Sequence, residues 1–205
     1  CTQTASEYAT RTEWNKLADK YNFYVVYPEQ NSSNNQNKCF NWFETADISR
    51  GQGEALSIKQ MVDKMKSTYS IDASRVFVTG LSAGGYMTPV MMATYPDVFA
   101  AGAVMAGGPY KCATSMTDAF SCMSPGVDKT PAAWKSIVTG AYSSYTGKYP
   151  RLIVFQGASD YTVKSLNMTE LVDQWTAVHN ADQNADLSET FRTHEHKQYK
   201  NAAGD

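Results

Sequence analysis

Short apolar runs that alternate with helical patterns constrain the fold of this chain more than any other feature of its sequence. Short runs rich in apolar residues, many of them β-branched or aromatic, occur at residues 23–28, 75–79 and 151–157, and a run of small apolar residues occurs at 99–107. Such runs are typical of strands that are covered on both faces of a parallel sheet. Because helical patterns separate them, the sequence predicts an α/β fold, with a mostly parallel sheet and helices on both of its faces.

The helical patterns and the chain length together predict one domain. Apolar residues recur at helical spacing in four segments: one capped by Thr12 and running to Tyr21, then 54–69, then 83–95, and one carrying Leu166, Leu171, Trp175 and Val178. A chain of 205 residues with 42% hydrophobic and 19% charged residues suits one ordinary globular domain. Residues 107–150 are rich in Gly, Ser, Thr and Tyr. We therefore predict a single domain over 1–205 with an insertion at about 107–150.

The charge balance and the longest apolar run exclude two classes of partner. Lys and Arg total 18 against 20 Asp and Glu, so a net charge of -2 provides no basic field for nucleic acid and no polybasic patch for a membrane surface. The longest nearly apolar run, 99–108, is far shorter than the ~18 residues that a membrane-spanning helix needs. We therefore expect no nucleic-acid partner and no membrane partner.

A serine between two glycines follows one of the apolar runs directly. In Gly80-Leu81-Ser82-Ala83-Gly84, Ser82 comes just after a predicted strand and just before a predicted helix. The pattern G-x-S-x-G in this context is typical of a nucleophile elbow, whose tight turn leaves little room for flanking side chains. Ligand crevices in open parallel sheets also form at this edge. We therefore predict that Ser82 is a nucleophile; the alternative is an ordinary turn serine.

An acidic residue follows a later strand, as a catalytic serine would require. A serine hydroxyl needs a base to take its proton and an acid to orient that base, in the chain order Ser, then Asp or Glu, then His. Asp160 lies in the loop after the strand predicted at 151–157. The competing interpretation is that Asp160 caps the next helix. Asp97, Asp118 and Asp128 fit less well, because they lie after a helix or in the inserted segment.

The four cysteines, Cys1, Cys39, Cys112 and Cys122, favour disulfides over metal binding. They lack C-x-x-C spacing and nearby histidines, so we expect no zinc site. An even count suits two disulfides, for which three pairings exist; Cys112 with Cys122 is the most natural, which leaves Cys1 with Cys39. Disulfides would place the protein in an oxidising compartment. The alternative is four free thiols in a cytosolic protein.

Several segments resemble one known family. GLSAGGYMTPVMMATYPDVFAAGAVMAGGPYKCA resembles the secreted esterases of the polyhydroxybutyrate depolymerase and feruloyl or acetylxylan esterase group, which have the α/β-hydrolase fold. CTQTASEYA, KCFNWF, RGQGEALSIKQMV and FQGASDYTV resemble further segments of that family, so the likeness covers most of the chain. It implies an α/β-hydrolase fold and a serine esterase that acts through an acyl-enzyme, with no metal or other cofactor.

The resemblance also implies roles for individual residues. It makes Ser82 the nucleophile and Asp160 the acid, and it places the backbone N–H groups of Cys1 and Ala83 in the oxyanion hole. The family also has a disulfide at the positions of Cys1 and Cys39. Where this chain has Gln156, many relatives have His, at a position that we interpret as structural.

Two aromatic residues are assigned to the substrate in the same way. The resemblance implies that Phe40 and Trp42 line the acyl or sugar site, and flat amphipathic rings suit an aromatic acyl group, a sugar or a polyester chain. Their residue types are equally compatible with core aromatics under a polar loop.

The expected partner is a polymeric ester, of plant cell wall or of polyhydroxyalkanoate type, and the expected location is extracellular. The alternative function is a non-catalytic relative that binds carbohydrate or polymer. The motifs do not choose among feruloyl, acetyl and hydroxybutyrate esters.

The histidines of the chain fit the role of general base poorly. His179 lies near the end of a predicted helix, and His194 and His196 alternate in a pattern typical of an exposed edge strand. The resemblance places the base in a Gly-rich loop one strand further on. It also places a sheet strand before Cys1. We therefore expect the catalytic histidine beyond Asp205 and expect these 205 residues to be an excerpt of a longer polypeptide, shortened at both ends.

Overall fold

A computed structural model describes residues 1–204 of the chain. Over this range the helices and strands are, in chain order, α1 (Ala5–Thr12), α2 (Trp14–Tyr21), α3 (Gly53–Thr68), β1 (Phe77–Leu81), α4 (Ala83–Thr94), β2 (Ala101–Met105), α5 (Met116–Met123), α6 (Pro131–Ala141), β3 (Arg151–Phe155), α7 (Leu166–His179), β4 (Leu187–Phe191) and β5 (His194–Gln198). Strands alternate with helices from β1 to α7, as the apolar runs predict. Within residues 1–204, no helix has both the length and the apolar character needed to cross a membrane.

The central sheet contains three parallel strands in the order β1-β2-β3. Its register places Leu81 beside Met105 and Met105 beside Phe155, so the three strands end at the same level. The strands predicted at 75–79, 99–107 and 151–157 are thereby confirmed. A separate antiparallel pair, β4 and β5, carries the segment that was predicted as an exposed edge strand, and all of its residues are exposed.

Helices cover one face of this sheet. α4 packs on β1 and β2, α7 packs on β3, and α6 packs on both of these helices. The other face is lined by large apolar side chains that are exposed in the described part of the chain: Phe77, Leu81, Ile153 and Phe155. The expectation of helices on both faces is therefore met on one face only within residues 1–204, where α1 and α2 pack chiefly on each other.

Two details of the first third of the chain differ from the sequence predictions. Thr12 does not cap a helix that runs to Tyr21: it is the last residue of α1, and its hydroxyl donates to the carbonyl of Tyr8. Glu13, at a left-handed φ of 57°, separates α1 from α2. Residues 23–28 form no strand, because no segment within 1–204 pairs with their backbone. An apolar run alone does not show whether a pairing partner exists.

The segment 107–150 is ordered and contributes to the core. It contains α5 and α6, whose inward side chains Ala119, Trp134 and Val138 are buried. Its first residues are held against α7 by a double hydrogen bond: Tyr110 N–H donates to Gln174 Oε1 at 2.9 Å, and Gln174 Nε2 donates to Tyr110 O at 3.1 Å. The segment therefore packs on the helical layer close to the carboxyl ends of the strands.

Candidate active site

Ser82 lies at a sharp turn between β1 and α4. Its backbone φ of 56° and ψ of -118° are unusual for a residue with a side chain, and strain of this kind persists only where the surrounding structure imposes it. Two hydrogen bonds hold the turn: Ser82 N–H donates to Met105 O at 3.0 Å, and Tyr86 N–H donates to Ser82 O at 2.9 Å. The first ties the turn to the end of β2 and the second closes the first turn of α4.

The hydroxyl of Ser82 does not cap helix α4. Ser82 occupies the N-cap position of α4, yet its side chain makes no capping hydrogen bond, and it has no other side-chain partner within residues 1–204. A turn serine at this position would ordinarily use its oxygen to accept from an N–H group of the first helical turn. The geometry is therefore that of an elbow that presents a hydroxyl, and it disfavours the interpretation of Ser82 as an ordinary turn serine.

The two glycines of the motif have different surroundings. A Cβ on Gly80 would lie 2.1 Å from the carbonyl oxygen of Gly84, which is a backbone atom that cannot move aside cheaply. A Cβ on Gly84 would meet nothing within 4 Å. Gly85, outside the motif, is also constrained, because its Cβ would lie 2.5 Å from Met105 O. The tight turn therefore requires glycine at 80 and 85, and only the first of these belongs to the G-x-S-x-G pattern.

The N-terminus of α4 offers hydrogen-bond donors beside Ser82. Ala83 is the first residue of the helix and is buried, and no side chain caps this end. The first N–H groups of a helix have no partner within it and carry partial positive charge, so they favour a negatively charged oxygen nearby. Ala83 N–H is therefore in a position to donate to an oxygen that develops charge next to the Ser82 hydroxyl.

Asp160 lies in a loop that begins directly after β3. Its Oδ1 accepts from the N–H groups of Thr162 and Val163, both at 2.9 Å, and its Oδ2 accepts from Gln156 Nε2 at 3.3 Å. These bonds, with that from Val163 the strongest influence, hold the pKa of Asp160 below its usual value, so the group is ionised at neutral pH. Asp160 does not cap α7, because Ser165 occupies the N-cap position of that helix.

Gln156 connects two parts of the loop that carries Asp160. Its Nε2 donates to Val163 O at 2.8 Å as well as to Asp160, so the side chain ties the end of β3 to the far side of the acid loop. We define the acid loop as residues 156–165. Its aromatic residue, Tyr161, is exposed.

Ser82 and the acid loop lie at the same edge of the sheet. Ser82 follows the last residue of β1 and Gln156 follows the last residue of β3, with β2 between these strands. Neighbouring strands are about 4.8 Å apart, so the two strand ends are separated by about 10 Å. A single side chain of moderate size that enters this gap can contact both the hydroxyl and the loop that carries the carboxylate.

None of the three histidines contacts the candidate site: two form hydrogen bonds with other groups, and the third is exposed. His179 Nε2 is 3.0 Å from Pro150 O, and His196 Nδ1 is 2.9 Å from Glu189 Oε1. His194 is exposed on β5. Within residues 1–204, no histidine forms a hydrogen bond with Ser82 or Asp160.

Both expected disulfides are present. Cys112 pairs with Cys122 and Cys1 pairs with Cys39, and no free cysteine remains in the described chain. The alternative of four free thiols is therefore wrong. The second bond fixes Cys1 to the KCFNWF segment, and Thr2 N–H reinforces this attachment by donating to Asn37 O at 2.8 Å.

Phe40 and Trp42, both assigned to the substrate from the family resemblance, lie in different environments. Trp42 is only 5% exposed, and its ring stacks on Tyr86 of α4 with centroids 3.8 Å apart. Trp42 therefore forms part of the core beneath the elbow and presents little surface to a ligand. Phe40 is half-buried and lines a cavity of about 560 Å³ whose other walls include Gln30, Glu54 and Met61.

A buried carboxylate that the motifs did not reveal organises the KCFNWF segment. Glu54, in the first turn of α3, accepts from Asn41 N–H at 2.8 Å, from Asn34 Nδ2 at 2.8 Å, and from Gln30 Nε2. Burial raises the pKa of Glu54 to about 7, and the neighbouring charge of Asp47 acts in the same direction. We call these five residues the Glu54 network. In the sequence, Glu54 is one acidic residue near the start of a predicted helix, where acidic residues are common, and no pattern indicates that it is buried.

Tyr86 and Asn167 form a second contact that sequence reasoning missed. Tyr86, one turn beyond Ser82, donates its hydroxyl to Asn167 Oδ1 at 3.1 Å, and Asn167 Nδ2 donates to Met123 O and Lys164 O, both at 3.2 Å. The helix that follows Ser82 is thereby joined to α5 and to the acid loop. The nearby charge of Asp160 adds to burial in raising the pKa of Tyr86.

Comparisons with known proteins show the family to which this chain is similar. The model of the family described as Esterase PHB depolymerase matches residues 1–198. The chain is 62% identical over 204 residues to poly(3-hydroxyalkanoate) depolymerase C of Paucimonas lemoignei, which covers 100% of this chain and 49% of that protein. It is 34% identical over 185 residues to feruloyl esterase B of Talaromyces funiculosus, with 87% of this chain and 52% of that protein covered.

A solved structure supports the same relationship. The acetyl xylan esterase from Aspergillus awamori superposes with a TM-score of 0.86 at 35% identity, covering 92% of this chain and 70% of that one. The predicted α/β-hydrolase fold is thereby confirmed. The chain spans about half the length of the curated relatives it matches. With a family model that matches nearly every residue and an elbow of the expected geometry, this chain belongs to the Esterase PHB depolymerase family.

Proposed function

We propose that this chain carries the nucleophile and the acid of a serine carboxylic ester hydrolase. The observation that supports it most is the strained elbow at Ser82, whose hydroxyl is not used to cap α4. Backbone strain of about 1–3 kcal/mol at one residue is retained where function requires it, and a spare hydroxyl at a helix N-terminus is the arrangement that acyl transfer uses. The similar proteins include a depolymerase and two esterases, and this supports ester hydrolysis as the reaction class.

In the proposed mechanism, Ser82 Oγ forms a bond to the ester carbonyl carbon while a base takes the hydroxyl proton. Ala83 N–H and Cys1 N–H would donate to the resulting oxyanion; loss of one such donor typically costs about 100- to 1,000-fold in turnover. The C–O bond to the leaving alcohol then breaks, and that alcohol receives the proton from the base. In the second half of the reaction the base takes a proton from water, whose oxygen forms a bond to the acyl carbon. The bond from that carbon to Ser82 Oγ then breaks, and the base returns the proton to Ser82 Oγ.

Asp160 would orient the base and stabilise its protonated form. Its lowered pKa suits this role, because the carboxylate must stay ionised while the base gains a proton. The base itself is expected to be a histidine, and none within residues 1–204 contacts Asp160. The expectation of a catalytic histidine beyond Asp205 stays a prediction.

The disulfide contacts support Cys1 as an oxyanion-hole residue. The bond to Cys39 attaches Cys1 to the KCFNWF segment, and Trp42 of that segment stacks on Tyr86, in the first turns of the helix that Ala83 begins. Cys1 is thereby connected through rigid contacts to the N-terminus of α4. Of the two aromatic residues, we retain Phe40 as a substrate contact and assign Trp42 to positioning this segment.

For the substrate we propose a polymeric ester outside the cell. The relative with 62% identity is a poly(3-hydroxyalkanoate) depolymerase, whereas relatives with 34–35% identity are a feruloyl esterase and an acetyl xylan esterase. Identity therefore favours an aliphatic polyester. The two disulfides favour an oxidising compartment and hence secretion. The competing function is a non-catalytic relative that binds carbohydrate or polymer.

Hydrolysis of p-nitrophenyl acetate separates these functions. In the complete natural polypeptide, Ser82→Ala should reduce turnover by several orders of magnitude, on the order of 10⁶ for a serine nucleophile. Ser143→Ala, at an exposed serine, is the matched control and should keep full activity. Absence of both turnover and labelling by a fluorophosphonate in the unmodified protein would favour the binding relative. Clearing of a polyester suspension, compared with release of ferulate from arabinoxylan, would then identify the substrate class.

A further inference from the structure

A buried hydrogen bond between Tyr86 and Asn167 connects the segment that carries Ser82 with the acid loop. Tyr86 is 2% exposed, and its N–H donates to Ser82 O at 2.9 Å, so it belongs to the first turn after the proposed nucleophile. Its hydroxyl donates to Asn167 Oδ1 at 3.1 Å, and Asn167, near the start of α7, is 1% exposed. This one bond therefore joins the helix that begins after Ser82 to the helix that follows the acid loop.

Gly108 places this hydrogen bond at the carboxyl edge of the sheet. β2 ends at Met105, and it lies between β1 and β3. A Cβ on Gly108, shortly after that end, would lie 2.3 Å from Tyr86 Cε1 and 2.4 Å from Asn167 Oδ1. The backbone at Gly108 therefore packs directly against both partners, at the edge where Ser82 and the acid loop also lie.

Asn167 holds the part of the acid loop that donates to Asp160. Its side-chain Nδ2 and its backbone N–H both donate to Lys164 O, at 3.2 Å and 2.9 Å. Val163, the residue before Lys164, is 1% exposed and belongs to the same apolar cluster as Tyr86. Its N–H donates to Asp160 Oδ1 at 2.9 Å. Asn167 is therefore connected to the carboxylate through two adjacent residues of the loop.

The hydroxyl of Tyr86 is not duplicated by another donor within residues 1–204. Cys122 Sγ lies 3.6 Å from Asn167 Oδ1, but a disulfide sulfur has no hydrogen to donate. Loss of the hydroxyl would leave a buried oxygen without a partner, and this favours reorientation of the amide. An amide that rotates to satisfy its oxygen would also withdraw Nδ2 from Lys164 O.

We propose that the hydrogen bond from Tyr86 to Asn167 fixes the position of Asp160 relative to Ser82, which makes Tyr86 and Asn167 positioning residues. This inference rests on the proposed esterase function and extends it to residues that do not themselves touch the substrate. The base must contact the hydroxyl of Ser82 and the carboxylate of Asp160 at the same time, across a gap of about 10 Å between strand ends. A displacement of about 1 Å at such a group costs on the order of 100-fold in rate.

The test removes one hydroxyl and keeps the ring. In the complete natural polypeptide, Tyr86→Phe should lower kcat for p-nitrophenyl acetate by about 10- to 100-fold. kcat/KM should fall by the same factor, because acylation and deacylation use one base. The matched control is Tyr110→Phe: Tyr110 is 1% exposed, belongs to the other apolar core cluster, and donates its hydroxyl to Ile48 O at 3.0 Å. This control loses an equivalent buried hydrogen bond and should keep its kcat.

The pH dependence of kcat/KM separates positioning from a general loss of stability. Asp160 stabilises the protonated base, so a carboxylate that moves away lowers the pKa of that base. Lys164 and Tyr86 interact electrostatically with Asp160, and Tyr86→Phe leaves the charge of Lys164 in place. The acid limb of the Tyr86→Phe profile should therefore move to lower pH, by up to about one unit. Tyr110→Phe should keep the profile of the unmodified protein.

A double-mutant cycle checks that the two residues act as one unit. Asn167→Leu removes the amide and keeps the branched shape of the side chain, and adding Tyr86→Phe to it should cost little more activity. Losses that add in the double variant would contradict this coupling.

The remaining outcomes distinguish failure of the inference from failure of the proposed function. Unchanged kcat in Tyr86→Phe, or equal losses in Tyr86→Phe and Tyr110→Phe, would overturn the positioning role, and so would an acid limb that does not move. In all of these cases an active unmodified protein leaves the esterase proposal standing. If the unmodified protein neither hydrolyses p-nitrophenyl acetate nor is labelled by a fluorophosphonate, the esterase proposal itself fails.

Discussion

Alanine at Gly80 and alanine at Gly84 should have opposite consequences, although the two glycines flank the same serine. The Cβ of Gly80→Ala would lie 2.1 Å from Gly84 O and 2.2 Å from Gly84 C. Both contacts are to backbone at the start of α4, so no side chain can rotate away. The same methyl group on Gly84 would meet nothing within 4 Å.

The size of the effect follows from these distances. Ordinary van der Waals contact requires about 3.5 Å, so the start of α4 must move away from β1 by about 1 Å or more. A displacement of that size at a catalytic group costs on the order of 100-fold in rate. Overpacking of this kind also destabilises a protein by about 1–3 kcal/mol. Gly84→Ala lies in a helix, where alanine is favoured over glycine by up to about 1 kcal/mol.

The assay is kcat/KM for p-nitrophenyl acetate in the complete natural polypeptide, together with the free energy of unfolding from denaturant titration. Gly80→Ala should lose about 100-fold in kcat/KM and about 1–3 kcal/mol of stability. Gly84→Ala should keep the stability of the unmodified protein or exceed it slightly. The steric reasoning is refuted if Gly80→Ala is within twofold of the unmodified enzyme, or if Gly84→Ala is the more damaging of the two for stability.

Two further predictions concern buried polar groups. Because the folded pKa of Glu54, about 7, exceeds its ordinary value of 4.5, the free energy of unfolding should fall as the pH rises from about 4.5 through about 7, by up to about 3 kcal/mol. Titration with denaturant across this range checks it, and a Glu54→Gln variant that keeps the same pH dependence would contradict it. Gln174→Leu should cost about 2–6 kcal/mol, because it leaves both backbone groups of Tyr110 buried without a partner. A cost below 1 kcal/mol for Gln174→Leu would show that water replaces the amide.

Much of the site could be predicted from local patterns. The strands that end before Ser82 and before Gln156 are short apolar runs between helical segments, and this alternation by itself indicates a parallel sheet. Parallel strands share one carboxyl edge, so the positions of Ser82 and Asp160 after two such strands already predict that they lie near each other. The pairing of Cys112 with Cys122 also follows from closeness in the chain.

Contacts between distant segments decided the rest. Trp42 and Phe40 are both aromatic and lie two residues apart, yet Trp42 is in the core and Phe40 lines a cavity. The difference arises because Tyr86, from the distant helix α4, packs on Trp42. Residues 23–28 resemble a strand in composition but form none, since a strand also requires a pairing partner. Gly80 and Gly84 are also equivalent in the G-x-S-x-G pattern. Only the packing of β1 against the start of α4 shows that Gly80 has no room for a methyl group, whereas Gly84 does. Periodicity and residue type determine the secondary structure and the edge at which the site forms, whereas burial, partners and free space arise from the packing of segments far apart in the chain.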